Sequence, residues 1–133
     1  MIVVDASALV DLFLEFPLNQ ALLDRLERAD ELHAPHLIDV ELLSVLRRLV
    51  AADKLSLEAA SMARAQFEDL GIERYSHVPL RARIWGLRGS LTAYDAAYVA
   101  LSEWLGLPLV TSDFRLARSS GHAATIESFA RRP

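Results

Sequence analysis

The chain contains no cysteine and only one lysine, Lys54, among 133 residues. The first absence excludes disulfides and thiolate metal sites, and fits a reducing compartment. Glycine and proline are scarce, five of each, which excludes a linker-rich or disordered chain. No apolar run approaches the roughly 20 residues of a membrane span. The start, Met1-Ile2-Val3-Val4-Asp5, lacks the basic region of a secretory signal, so a cytoplasmic location away from membranes is expected. There is no glycine-rich phosphate loop and no Gly-x-Ser-x-Gly elbow. A net charge of −4 argues against holding nucleic acid by bulk positive charge.

What is present is apolar and periodic. Hydrophobic residues make up 53% of the chain, enough for one domain, 1–133, with one sizeable core. Eight of the thirteen arginines stand in small groups: Arg47-Arg48, Arg81 with Arg83, Arg115 with Arg118, and Arg131-Arg132. Their forks can bind phosphate or carboxylate with two bonds, although a solvated surface explains any one pair equally well.

Short β-branched runs alternate with helical spacings. Strands are predicted at Met1 to Val4, Leu32 to Pro35, Tyr75 to Val78, Pro108 to Thr111 and Ala124 to Ile126, followed by a mobile tail. Helices are predicted over Ala6 to Glu15, Leu18 to Asp30, Leu37 to Asp53, from Ser56 to about Leu70, over Leu80 to Leu87, over Thr92 to Gly106, and in a turn ending near Ser119. Such alternation implies an α/β fold: three layers, α/β/α, around a parallel sheet of four to five strands. The crowding of Leu12, Phe13, Phe16 and Leu18 around Pro17 points to an apolar groove beside the helix that carries Glu41.

Charge then interrupts the apolar pattern at four places. Between Thr92 and Ser102 every residue but Asp95 is apolar or aromatic, and a buried carboxylate is costly unless something pairs with it. Asp5 and Asp113 each follow a buried strand, and Glu41 shares the inward stripe of its helix. Taken singly, each has an ordinary explanation as a helix cap, a capping-box acid or a surface group. Taken together they lie at the carboxyl ends of parallel strands or in the first turns of the helices entered from them, where α/β sheets bind ligands. Four converging carboxylates repel one another unless a cation neutralises them. With oxygen donors only, that cation is a hard one, Mg²⁺ or Mn²⁺, and the matching chemistry is phosphodiester hydrolysis. Ser7 and Thr111 each lie two residues from an aspartate and can hold a carboxylate or orient a bound water. Arg83, Arg115 and Arg118 are candidate contacts to the substrate's phosphates through their nearness in sequence to Asp95 and Asp113. The histidines, His33, His36, His77 and His122, have no ligand spacing and read as packing or surface residues.

Three blocks and the helical Glu41 resemble the PIN domain, in order and at the right spacing: Val3-Val4-Asp5-Ala6-Ser7-Ala8-Leu9, Thr92-Ala93-Tyr94-Asp95-Ala96-Ala97-Tyr98-Val99-Ala100-Leu101, and Leu109-Val110-Thr111-Ser112-Asp113-Phe114-Arg115-Leu116. More narrowly, the chain resembles VapC-type toxins of bacterial toxin–antitoxin pairs. The resemblance implies a Mg²⁺-dependent endoribonuclease whose ligands are Asp5, Glu41, Asp95 and Asp113, with Ser7 and Thr111 as the hydroxyl residues beside them. It also implies a homodimer, a cognate VapB-type antitoxin that silences it, and a heterotetramer or larger complex between the two. Two other readings compete. A phosphoryl-accepting receiver domain also has an acidic Mg²⁺ pocket but needs a lysine at a strand end, and Lys54 ends a long helix instead. A non-catalytic binding domain would leave the acids as caps and surface groups.

Overall fold

The structure, a computed structural model, describes residues 1–131. Five strands are present: β1 (Ile2–Val4), β2 (Leu32–Pro35), β3 (Glu73–Tyr75), β4 (Leu109–Thr111) and β5 (Ile126–Ser128). They form one parallel sheet in the order β3-β2-β1-β4-β5. Seven helices flank it: α1 (Ala6–Leu14), α2 (Gln20–Glu27), α3 (Leu37–Ala51), α4 (Leu57–Glu68), α5 (Arg81–Gly86), α6 (Ala93–Leu105) and α7 (Phe114–Ala117).

Burial explains the central strand. Ile2, Val3 and Val4 are fully buried, as expected where parallel neighbours flank a strand and helices cover both its faces. β1 pairs with β2 on one side and β4 on the other, so the chain reverses its direction of travel across the sheet at β1. A crevice opens at that point, outside the carboxyl ends of the strands. The register keeps its two walls together: Val4 lies opposite Val110, and the Asp5 N–H donates to the Val110 carbonyl at 3.0 Å.

The helix around Asp95 is set by its two ends and its burial. Thr92 caps α6 by accepting the Asp95 N–H at 3.2 Å, and Gly106 closes it in the left-handed conformation, φ +65°, which a glycine adopts without strain. From Ala96 to Ser102 every residue is buried, so α6 is enclosed on most of its circumference. It packs across β1, β2 and β4, while α1, α3 and α4 pack together and α1 and α3 reach the sheet at β4 and β2.

Several boundaries differ from the sequence expectation. α2 starts at Gln20 rather than Leu18 because Asn19 is its cap, accepting the Leu22 N–H. β3 runs over Glu73–Tyr75 rather than from Tyr75 to Val78, and Val78–Leu80 is a 3-10 turn into which Pro79, lacking an N–H, fits. β5 lies two residues later than expected, at Ile126–Ser128. The segment expected to be a mobile tail is therefore tied down as far as Arg131: Asn19 donates to the Phe129 carbonyl at 2.8 Å and Arg131 pairs with Asp11 at 2.6 Å. Residues 132 and 133 lie outside the described part.

The cluster around Pro17 also divides differently. Leu12, Phe13 and Leu18 line an apolar cavity with Leu23, Leu26, Leu32 and Leu70. Phe16, by contrast, is 89% exposed. Beside the Glu41 helix, the apolar wall is formed by Val10 and Leu14 of α1 with Leu37, Val40, Val45 and Leu49 of α3.

These positions predict contrasting costs. Leu101→Ala, at a fully buried site on α6, is expected to lower unfolding free energy by about 2–5 kcal/mol. Phe16→Ala is expected to change it by less than about 0.5 kcal/mol. Chemical denaturation of both variants checks the pair.

Candidate active site

Asp5 is the first residue after β1 and is 5% exposed. It stands at the N-cap position of α1, yet its side chain caps nothing. Instead both neighbouring hydroxyls donate to the same oxygen, Oδ2: Ser7 Oγ at 2.7 Å and Thr111 Oγ1 at 2.7 Å. Those hydroxyls in turn accept backbone N–H groups, Ser7 from Ser112 at 3.1 Å and Thr111 from Asp113 at 3.0 Å. Two hydroxyls thus lock the end of β1 to the turn after β4, and Oδ1 of Asp5 takes part in neither bond.

Asp113 does cap a helix. Its Oδ1 accepts the N–H groups of Arg115 at 2.8 Å and Leu116 at 3.4 Å, with the Arg115 guanidinium 3.9 Å away. Asp95, in the first turn of α6, is half-buried. Glu41, also half-buried, accepts a 2.5 Å hydrogen bond from the Tyr98 hydroxyl. Tyr98 is fully buried on α6, three residues after Asp95, and bridges two walls of the crevice.

Asp5, Glu41, Asp95 and Asp113 all line one cleft of about 880 Å³, together with Ser7. Thr111 lies beneath it, fully buried. Arg115 stands at the Asp113 end, with a side chain 93% exposed, and Arg118 lies over the Phe114 ring. Arg83 is elsewhere. Its guanidinium forks onto Glu103 at 2.8 and 2.9 Å and reaches the Gly121 carbonyl, in a depression shared with Pro79, Leu80 and Trp104. Paired with Glu103, Arg83 braces α6 and does not line the cleft of the four acids.

The electrostatics reflect this crowding. Burial pushes the Asp5 carboxyl above the usual range, the hydroxyls of Ser7 and Thr111 oppose the shift, and the charge of Asp95 adds to it. Glu41 is raised by burial, eased by the Tyr98 bond, and raised further by Asp5 and Asp95. Asp95 is raised by burial and then by Asp113. Tyr98 is driven up by burial and by Asp5 and Glu41, so its hydroxyl keeps its proton and acts as donor to Glu41.

Whether a cation fits follows from the same contacts. Among the described residues no three acidic or histidine side chains are close enough to hold one ion as they stand. The donor chemistry nonetheless fits a hard divalent ion, since every donor is an oxygen and Asp5 Oδ1 is unengaged. Burial is the main cause of the three raised carboxyls, and the charges of neighbouring acids add to it.

Asp11 went unnoticed in the sequence. It is 3% exposed on α1 and joins three distant segments. Ser112 Oγ and Asn19 Nδ2 donate to its Oδ2 at 2.8 and 2.9 Å, and Arg131 Nε donates to its Oδ1 at 2.6 Å. The signal was available, because a lone Asp within the apolar stretch Ala8 to Leu14 breaks the pattern as Asp95 does. Tyr98 carried no such signal, since an aromatic within an apolar helix reads as core.

A strand-end crevice with acids from β1, α3, α6 and the β4–α7 turn defines a class. The chain belongs to the PIN-domain family, whose model matches residues 2–121. Within it the chain groups with the VapC ribonucleases. It is 42% identical to Ribonuclease VapC12 of Mycobacterium tuberculosis over 127 residues, 96% of this chain and 98% of that one. It is 45% identical to Ribonuclease VapC9 of the same organism, over 88% of this chain and 89% of that one. The fold is similar to the crystal structure of PAE2754 from Pyrobaculum aerophilum, with a TM-score of 0.69 and 28% identity over 96% of this chain and 82% of the other.

The raised carboxyls carry a prediction for the protein stripped of divalent cations. A folded-state pKa above the unfolded one means the folded protein binds protons more tightly, so stability falls as pH rises through that interval. Glu103 and Glu127, paired with Arg83 and Arg25, are lowered instead, and their contribution is lost only below the ordinary value of 4.5. With a chelator present, the melting temperature is therefore expected to rise on acidification from about pH 8 to about pH 5, and to rise less in Asp5→Asn. Thermal unfolding across that range is the check, and a melting temperature that falls instead contradicts the repulsion.

Proposed function

We propose that this protein is a Mg²⁺-dependent endoribonuclease toxin of the VapBC type, able to use Mn²⁺, that cleaves RNA at the cleft lined by Asp5, Glu41, Asp95 and Asp113. The observation that carries the reading is the convergence of those four carboxylates on one crevice at the strand ends. Asp5, Asp95, Asp113 and Glu41 would hold the ion. When bound, a divalent cation supplies a water of lowered pKa and neutralises charge on the phosphodiester oxygens.

The remaining work falls to the chain. Ser7 and Thr111 hold Asp5, a residue of the cleft wall, through Oδ2. Tyr98 fixes the Glu41 carboxylate by donating its hydroxyl proton. Arg115, exposed beside Asp113, is placed to meet an RNA phosphate, and Arg118 stands one helical turn further on. A net negative protein has little non-specific hold on RNA, so affinity depends on these local contacts.

The names of the relatives support the toxin role, as does the apolar wall of Val10, Leu14, Val40, Val45 and Leu49 running from the acids between α1 and α3. An amphipathic segment of a cognate VapB-type antitoxin laid there would block the cleft. We place the active form in the cytoplasm as a homodimer, and the silenced form in a heterotetramer or larger complex. No helix among the described residues is long and apolar enough to cross a membrane. The receiver-domain alternative loses support, because Lys54 lies in the turn after α3 and does not line the cleft.

Asp95→Asn is expected to reduce Mg²⁺-dependent RNA cleavage by at least about 100-fold while the protein stays folded, because it removes a repelling charge. Asp5→Ala is expected to reduce cleavage as much but also to lower stability by about 1–3 kcal/mol, because it leaves the Ser7 and Thr111 hydroxyls without their acceptor. Gel-based cleavage of total RNA by purified variants, beside their circular dichroism, checks this. Full cleavage by folded Asp95→Asn would exclude the mechanism.

A further inference from the structure

The acids account for phosphate chemistry but not for what the cleft does with a nucleotide's base. One aromatic side chain faces that question. Tyr94 precedes Asp95 on α6, lines the same cleft, and is 62% exposed. Its hydroxyl takes part in no hydrogen bond and its ring pairs with no other aromatic among the described residues. Thr92 and Ala93 before it are also exposed, whereas everything from Ala96 to Ser102 is buried. The ring is thus carried on the first turn of a helix that the core holds rigid, one residue from a proposed cation ligand.

We propose that Tyr94 is a stacking platform for an unpaired nucleobase of the RNA substrate, next to the phosphate that is cut. The inference rests on the ribonuclease reading above. Three features favour a nucleotide over a protein partner at this position. The ring shares its cleft with the four carboxylates, so a ligand on it also lies at the cation site. Arg48 lines the same cleft and the exposed guanidinium of Arg115 stands beside Asp113, and both are complementary to a phosphodiester and not to a wholly apolar partner. Phe114, the exposed aromatic next to Asp113, already has Arg118 over its ring at 5.3 Å, whereas among the described residues no cation lies over Tyr94. Base stacking on an aromatic tolerates any base but requires it to be unstacked from its neighbours. The substrate is then single-stranded or looped at the cut, and a continuous duplex is a poor one.

The test compares wild type, Tyr94→Phe and Tyr94→Leu on a short single-stranded oligoribonucleotide that the wild type cleaves. A second version lacks the base at a nucleotide flanking the cut. Stacking predicts that Tyr94→Leu raises KM roughly 5- to 100-fold with kcat little changed, and that Tyr94→Phe retains wild-type behaviour. Removing the flanking base, tried on either side of the cut, should weaken the wild type and leave Tyr94→Leu no worse than before. A Tyr94→Leu enzyme with wild-type KM overturns the proposal, as does a defect equally large whether or not either base is present. A change of sedimentation behaviour in Tyr94→Leu with unaltered RNA kinetics overturns it too, and assigns the ring to a protein contact. If the wild type cleaves no RNA with any divalent ion, the ribonuclease reading itself fails; cleavage with unaffected Tyr94 variants fails this inference alone.

Discussion

Oδ2 of Asp5 accepts two hydroxyl protons at a point where almost no water reaches, and the architecture of the crevice depends on that contact. An ionised carboxylate in such a place is stabilised only by donors aimed at it. Ser7 supplies one from the next turn of chain, and Thr111 supplies the other from a strand 106 residues away. Because both hydroxyls also accept N–H groups from Ser112 and Asp113, the bond that holds Asp5 also fixes the turn bearing Asp113. Removing either hydroxyl would loosen two acids at once.

A second layer supports the first. Asp11 fastens Ser112 from below, and through Asn19 and Arg131 draws in the start of α2 and the segment after β5. Its charge is matched by Arg131, so this carboxylate braces the turn. Asp5 differs in having no cation beside it. The contrast separates two buried aspartates of one helix: Asp11, within α1, is paired with the protein's own Arg131, and Asp5, at its N-cap position, is held by hydroxyls alone. On the far wall Tyr98 does for Glu41 what Ser7 and Thr111 do for Asp5, with a donor that cannot ionise at neutral pH.

Much of this was legible in the residues because burial and charge conflict openly there. A β-branched triplet ending at Asp5, and an apolar helix broken only by Asp95, signal their surroundings in one dimension. The parallel α/β order followed from the alternation of strands and helices, and the resemblance to PIN domains followed from the spacing of the acid blocks. Other features needed the third dimension. That Arg83 is consumed by Glu103 depends on a partner 20 residues away, and nothing near Arg83 in sequence tells it apart from Arg115. The late position of β5 is set by pairing with β4 and by the Asn19–Phe129 bond, which override the better strand propensity of Ala124-Thr125-Ile126 over Ile126-Glu127-Ser128. The groove beside α3 was expected, but its lining was assigned to residues around Pro17 because apolar clustering in sequence does not say which face of a helix each residue occupies.

In the function we propose, a divalent cation among Asp5, Glu41, Asp95 and Asp113 relieves the cost of their burial and mutual repulsion. Anomalous diffraction from crystals equilibrated with Mn²⁺ tests it without reference to any RNA. The account predicts a manganese peak in the cleft against Oδ1 of Asp5, with at least one of Asp95, Asp113 and Glu41 turned toward it. Density at saturating Mn²⁺ that shows no peak in the cleft, with the four carboxylates still apart, would contradict it.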